Sequence, residues 1–190
     1  MLKTCEETGT DFAQTLKKAK RTRKTKQTLG TSDTARTEQA LGRIVGSLSV
    51  VTTKQEELEG AMLASWVSQA TFNPPGLTVA VAKEREIESL LHSGSKFVLN
   101  ILQEGKHLGL MKHFLKPFKP GEDRFAGVAT EIAENGCPIL TDALAYIECR
   151  IDNRLECGDH WLVYAVAEKG KVLQNEGITA VHHRKSGSHY

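Results

Sequence analysis

The 190-residue chain has no long apolar run. No stretch approaches the roughly eighteen apolar residues of a membrane-crossing helix, and no apolar signal-peptide core follows Met1, so a soluble, cytoplasmic protein is expected. Cysteine is scarce: Cys5, Cys137, Cys149 and Cys157 make no disulfide framework in a chain of this size and read as free thiols. Glycine-rich phosphate loops are missing, both the dinucleotide and the nucleoside-triphosphate kind, because the spacing around Gly105 and Gly109 fits neither. That tells against a Rossmann-type cofactor site. There is no Gly-x-Ser-x-Gly, and Ser65 and Ser68 have no local base, so a serine hydrolase is not indicated. Metal ligands do not come in paired sets. Cys157 and His160 stand three apart with Cys149 upstream and nothing to complete a tetrahedron, His182 and His183 are adjacent, and His107 and His113 lie six apart. No metal site is expected.

What is present is unevenly spread. Hydrophobic residues make up 39% of the chain, and the deficit lies in the first forty positions. Residues 1–20 place Phe12, Leu16 and Ala19 at helical spacing. Residues 21–37 are rich in Lys, Arg and Thr without apolar period, and read as a basic, flexible linker. Lys17 to Lys26 holds seven basic residues and no acidic one, but no aromatics interleave it, so nucleic-acid binding is the lesser reading. Residues 38–190 form the globular part.

There the pattern is mainly β. Ile44 to Val51 is apolar on both faces, as in a central strand, after a helical turn over Glu38 to Leu41. After a charged hairpin loop, Gly60 to Pro75 reads as the next strand: small and hydroxyl-bearing residues, one tryptophan, then a double proline. Leu77 to Ala82 and Phe97 to Leu102 are further strands, with a short helical segment over Glu86 to His92 between them. Leu108, Met111, Phe114 and Leu115 mark one face of a helix closed by Pro117. A long polar excursion runs to Pro138. Strands follow over Leu144 to Ile151 and His160 to Glu168, with a shorter one near Val172. Many short strands with few helices predict an antiparallel barrel with helical insertions.

Two polar features stand out. Gly158-Asp159-His160 is a turn ahead of a strand, which by itself is an ordinary tight turn or a histidine held beside a cleft. Lys83, Arg85 and Ser89 cluster after an apolar strand, either as a solvated loop among Glu84, Glu86 and Glu88 or as a phosphate site.

Together these pieces resemble the flavin reductase-like proteins, which bind FMN in a split β-barrel. The resemblance rests on Ala64-Ser65-Trp66 to Pro74-Pro75, Leu77 to Ala82, Phe97-Val98-Leu99-Asn100 and Gly158-Asp159-His160, in that order over about 150 residues. A closer likeness is to the carboxy-terminal flavin reductase module of the flavodiiron proteins of cyanobacteria. It is carried by Met62 to Ala70, Asp123 to Gly127, Ile139 to Tyr146 and His182 to Gly187. Cys5 to Phe12 is similar to the end of the flavodoxin-like module that precedes it there, which implies that residues 1–20 are the closing helix of that module.

The resemblance implies FMN against Leu63, Ala64, Ser65, Trp66, Ser68 and Gln69, with its phosphate near Lys83, Arg85 and Ser89. Asn100, Gly158 and Asp159 would complete the pocket, and His160 would position the nicotinamide of NADH or NADPH for hydride transfer. It further implies a homodimer, and electron delivery to flavodoxin-like and diiron modules of the full-length protein that reduce oxygen to water. Trp66 is bulky where many stand-alone reductases have a small residue. The rival from another class is a non-catalytic split-barrel binding or interaction module.

Overall fold

The computed structural model describes residues 31–116, 118 and 122–188. The helix expected in residues 1–20 and the Lys17 to Lys26 run lie outside them. The chain divides between Thr37 and Glu38 into two compact units, and the barrel belongs to the second.

Helix α1 covers Thr31–Leu41, so the expected linker is helical from Thr31 onward. The hydroxyls that make this stretch look solvated also serve a helix: Thr37 Oγ1 donates to the Asp33 carbonyl at 2.9 Å. Asp33 lies in the first turn, where a negative charge suits the helix dipole.

Among the described residues eleven strands follow: β1 Gly46–Ser47, β2 Ser49–Gln55, β3 Leu58–Ala64, β4 Val67–Phe72, β5 Pro75–Ala82, β6 Lys96–Ile101, β7 Thr130–Ile132, β8 Pro138–Leu140, β9 Ala145–Cys157, β10 His160–Val172 and β11 Val181–His182. A five-residue 3-10 segment spans Glu86–Leu90, and helix α2 spans Leu108–Leu115. Seven strands make one antiparallel sheet in the order β3-β2-β6-β9-β10-β5-β4.

The stretch expected to be a single strand is two, β3 and β4. They stand at opposite edges of the sheet although only Ser65 and Trp66 separate them. Flat, the sheet would hold those edges about 28 Å apart, six inter-strand spacings. Three peptide steps reach about 11 Å. The sheet therefore rolls until its edges meet at Ser65-Trp66, and this crossover closes the barrel. Trp66 O accepts from Ala80 N at 3.0 Å, stitching the crossover to β5.

The interior is filled by alternate residues of the seven strands, including Val51, Met62, Ala64, Val79, Phe97, Leu99, Ile151 and Val163. A second apolar layer on the outer face of β2 and β3 joins Leu48, Val50 and Ala61 to Phe114 of α2 and Leu140 of β8. At 25 cal/mol per Å² each of these large side chains contributes roughly 2 kcal/mol. The central strand expected over Ile44 to Val51 is only partly one: Leu48, Val50 and Val51 are buried, but Ile44 and Val45 are exposed ahead of β1, which pairs with β11 in a separate two-stranded sheet.

Strands β9 and β10 form one long hairpin, and Val172 ends β10 rather than making a strand of its own. The expected strands stop short because the extra residues are solvated: Asp152, Asn153, Leu155 and Glu156 near the tip of β9, and Lys169 to Val172 at the far end of β10. The hairpin tip is Gly158-Asp159, with Gly158 at φ +62°, a left-handed conformation that favours glycine.

Candidate functional site

The crossover and the hairpin tip converge. His160, first residue of β10, pairs with Ala82 of β5 on one side and Cys157 of β9 on the other. The Lys83 amide donates to the Asp159 carbonyl at 3.0 Å, tying the tip to the end of β5. The His160 and Trp66 rings lie 5.0 Å apart, centre to centre, tilted by 35°. Residues 94 positions apart thus share one aromatic surface (160 minus 66).

A cleft of about 470 Å³ opens at Trp66, within the usual range of small-molecule sites. Ile44, Val45, Val67, Ala80 and Leu162 give it apolar walls, Ser65, Ser68 and Thr78 bring hydroxyls, and Arg184 brings a positive charge. The Ser65 hydroxyl is buried without a hydrogen-bond partner in the protein, among the described residues. Such a group costs about 1–3 kcal/mol unless something satisfies it. Gly46 is the reason the chain can pass here: a Cβ on it would lie 1.7 Å from the Ser65 carbonyl oxygen.

His160 Nδ1 sits 2.8 Å from Asp159 Oδ1. The hydrogen bond from the imidazole, with the charge of its protonated form, holds the Asp159 carboxyl below its ordinary range. With Nδ1 donating, a neutral His160 presents Nε2 as an acceptor. The histidine is thereby oriented from outside the cleft.

The other expected contacts divide. Ser65, Trp66 and Ser68 line the cleft with Arg184. Leu63 and Ala64 point to opposite faces: Leu63 packs on the α2 layer, and Ala64, 1% exposed, lies inside the barrel. Neither side chain reaches the cleft. Gln69 is exposed and donates to the Thr71 carbonyl at 3.3 Å. Asn100 belongs to the interior. Its Nδ2 donates to the Val50 carbonyl and Thr52 Oγ1, and its Oδ1 accepts from the Leu140 amide at 2.8 Å. With every group engaged at 0% exposure, it is a clamp between β2, β6 and β8.

Lys83, Arg85 and Ser89 do not make one phosphate cradle. Lys83 pairs with Glu156 and lies 5.2 Å over the Trp161 ring. Ser89 Oγ donates to the Glu86 carbonyl and lines an acid-rich cleft with Glu57, Glu59 and Asp123. Arg85 lines a smaller cleft of about 180 Å³ with Lys116, Arg124, Phe114 and Phe118 against Ala61 and Met62 of β3. Burial lowers the Arg124 pKa, and Glu86 pairs with it. Lys116 and Arg124 escape a sequence reading because they are distant from Arg85 along the chain. Arg184 escapes it for the same reason, although the His182 to Gly187 text marks its segment.

A flat, partly apolar ring system with hydroxyl and phosphate groups fits this donor set. Trp66 and aliphatic walls take the flat part, Ser65 offers an unmet hydroxyl, and Arg85, Lys116 and Arg124 stand at the smaller cleft.

The flavin reductase like domain matches residues 41–188. Diflavin flavoprotein A 1 of Synechocystis sp. is 58% identical over 98% of this chain, which spans 32% of that protein. A second Synechocystis relative, bearing the diflavin flavoprotein A 3 designation, is 74% identical over the whole chain and again 32% of its own length. The chain therefore spans about a third of these relatives, corresponding to their C-terminal module. Among solved structures, the NADH:FAD oxidoreductase SgcE6 of Streptomyces globisporus superposes with a TM-score of 0.71 at 23% identity, covering 77% of this chain and 86% of that one. Flavin reductase HpaC, solved with NADP+, gives 0.65 at 23% identity over 77% and 90%. These two likenesses establish a common fold, the split barrel. The chain belongs to the flavin reductase like domain family.

Proposed function

We propose that this chain is an FMN-binding NAD(P)H:flavin oxidoreductase module. The observation that carries the reading is the contact of His160, at the hairpin tip, with Trp66, which lines the cleft at the barrel closure beside Ser65 and its buried, unpartnered hydroxyl. Bound FMN would supply the hydride-accepting chemistry, so the protein needs no acid–base pair of its own. Ser65, Ser68 and the crossover backbone would hold the flavin, with Arg85, Lys116 and Arg124 available to its phosphate. His160, held by Asp159, would orient the nicotinamide, and Trp66 would exclude water from the reacting faces. Orientation of two reactants within one dry cleft is the principal catalytic contribution.

In the full-length cytosolic protein the module would pass electrons toward flavodoxin-like and diiron modules that reduce oxygen to water. Supporting this are relatives named as diflavin proteins and three times as long as the match. Exposed Ile44 and Val45 beside the cleft, at 62% and 51%, suit a homodimer contact. No helix among the described residues is long and apolar enough to cross a membrane.

Purified protein should carry or take up FMN, show the flavin visible bands, and be bleached by NADH or NADPH under anaerobic conditions. Protein that binds no flavin overturns the reading. Protein that binds flavin without bleaching is instead a non-catalytic binding module.

A further inference from the structure

One segment has no part in the barrel or in the reading above: residues 183–188, which follow β11. It folds back along the crossover and is fastened at several points. The Gly187 amide donates to the Glu38 carbonyl at 2.6 Å, and Ser188 Oγ to Glu38 Oε2 at 3.2 Å. Gly187 lies so close that a Cβ there would meet Leu41 Cβ at 2.5 Å. Gly42 is packed as tightly against the Ser186 backbone. This strap carries Arg184 to the mouth of the cleft, its guanidinium carbon 4.9 Å from the centre of the Trp66 ring.

Of the described arginines, Arg36, Arg124, Arg150 and Arg154 each pair with a carboxylate, and Arg43, Arg85 and Arg184 do not. What sets Arg184 apart is its place over the Trp66 ring. Among the described residues no carboxylate pairs with Arg184, whose hydrogen bond is a long one, 3.4 Å, to the Leu41 carbonyl. It is also the one cation among the described residues lining this cleft. A planar guanidinium, stacked on an aromatic ring and lacking a counter-charge, suits a phosphate, which it grips through two parallel hydrogen bonds.

We infer that Arg184 is a binding determinant for the pyridine nucleotide: it takes a phosphate of the dinucleotide whose nicotinamide stands against Trp66 and His160. The inference rests on the reductase reading and adds a residue to it. Binding exchanges the weak Leu41 contact for a charge-assisted one, and the strap keeps the arginine in place meanwhile.

The test titrates NAD+ and NADP+, which cannot reduce flavin, into the parent chain, Arg184→Ala, Arg184→Gln and Arg184→Lys, with flavin affinity followed separately by visible absorbance. Arg184→Ala and Arg184→Gln should weaken nucleotide binding at least tenfold, about 1.4 kcal/mol, with flavin Kd kept within about twofold. Arg184→Lys should lose less, because it keeps charge but not the fork. Equal losses for both nucleotides place Arg184 on the diphosphate, and a loss confined to NADP+ places it on the 2′-phosphate. Arg184→Gln keeps most of the side chain, so it decides the matter should alanine loosen the strap. If Arg184→Gln binds both nucleotides as the parent does, while the parent's flavin is still bleached, the inference falls and the reductase reading stands. A parent that binds no nucleotide and bleaches no flavin ends both.

Discussion

At the residue scale, His160 and Asn100 show how alike two candidates can look in a sequence and how differently they work. Both lie in short motifs that resemble those of flavin reductases. His160 is half-buried against the Trp66 ring with a carboxylate holding its Nδ1. Asn100 is fully buried with its amide nitrogen and oxygen both engaged. His160→Ala should raise the KM for NAD(P)H about tenfold, the order expected for one charge-assisted contact, while changing FMN affinity by less than about threefold. Equal damage to both would make the histidine a structural residue. Asn100→Ala should act on stability, because it strips the Leu140 amide of its acceptor in a dry interior. A loss of about 3 kcal/mol in urea unfolding is expected. A loss under about 1 kcal/mol would mean that water or a neighbour replaces the clamp.

At the element scale, the strands were legible wherever one rule governed them. Leu77 to Ala82 and Phe97 to Leu102 follow burial alone, and the structure has them within two residues of the expected bounds; α2 lies where expected, but it buries Phe114 with Leu110 and Met111 while Leu108 and Leu115 are exposed. The division of Gly60 to Pro75 was not legible. Ser65 and Trp66 obey no local turn rule; what breaks the strand there is closure of the whole sheet, a long-range event. The same cause hid Arg184, which comes to the Trp66 ring only after closure, whereas Trp66 and His160 were marked by the motifs they sit in. Ser65 and Ser68 could be singled out because their hydroxyls stand out locally. Lys83, Arg85 and Ser89 are close in sequence, but the segment turns and parts their side chains: Lys83 goes to Glu156, and Arg85 and Ser89 line separate clefts. The crossover itself is testable at Gly46. Gly46→Ala places a methyl 1.7 Å from the Ser65 carbonyl oxygen, so the backbone must move. A destabilisation of about 3 kcal/mol is expected from such overpacking, together with weaker flavin binding. Gly109→Ala is the control: it meets nothing within 4 Å in α2 and should stabilise by about 0.5–1 kcal/mol. Indistinguishable melting curves for the two would show that the crossover is not held as tightly as the geometry indicates.

At the scale of the whole molecule, stability rests on a barrel interior that admits little water, and the Cys149 thiol reports on that. Cys149 is 0% exposed among Phe97, Ile151 and Ala165, and burial pushes its pKa from the ordinary 9.0 up to about 12. Burial raises the Cys137 thiol as well. The sign follows from proton counting. Below pH 9 both the folded and the unfolded chain keep the Cys149 proton, and the thiol has no effect on the pH slope. Between 9 and about 12 the unfolded chain loses the proton while the folded one retains it, so each rise in pH favours unfolding. The slope from this one group reaches about 1.4 kcal/mol per pH unit. Lysines and tyrosines titrate in the same interval, so the comparison with Cys149→Ala isolates the thiol. The variant should be less stable than the parent at pH 7 by about 1 kcal/mol, for the lost packing. Its disadvantage should shrink, and then reverse, as urea unfolding is repeated from pH 8.5 to 10.5. Parallel curves for the two proteins across that range would mean that Cys149 ionises as readily in the folded barrel as in the unfolded chain, and that the interior is wetter than its packing implies.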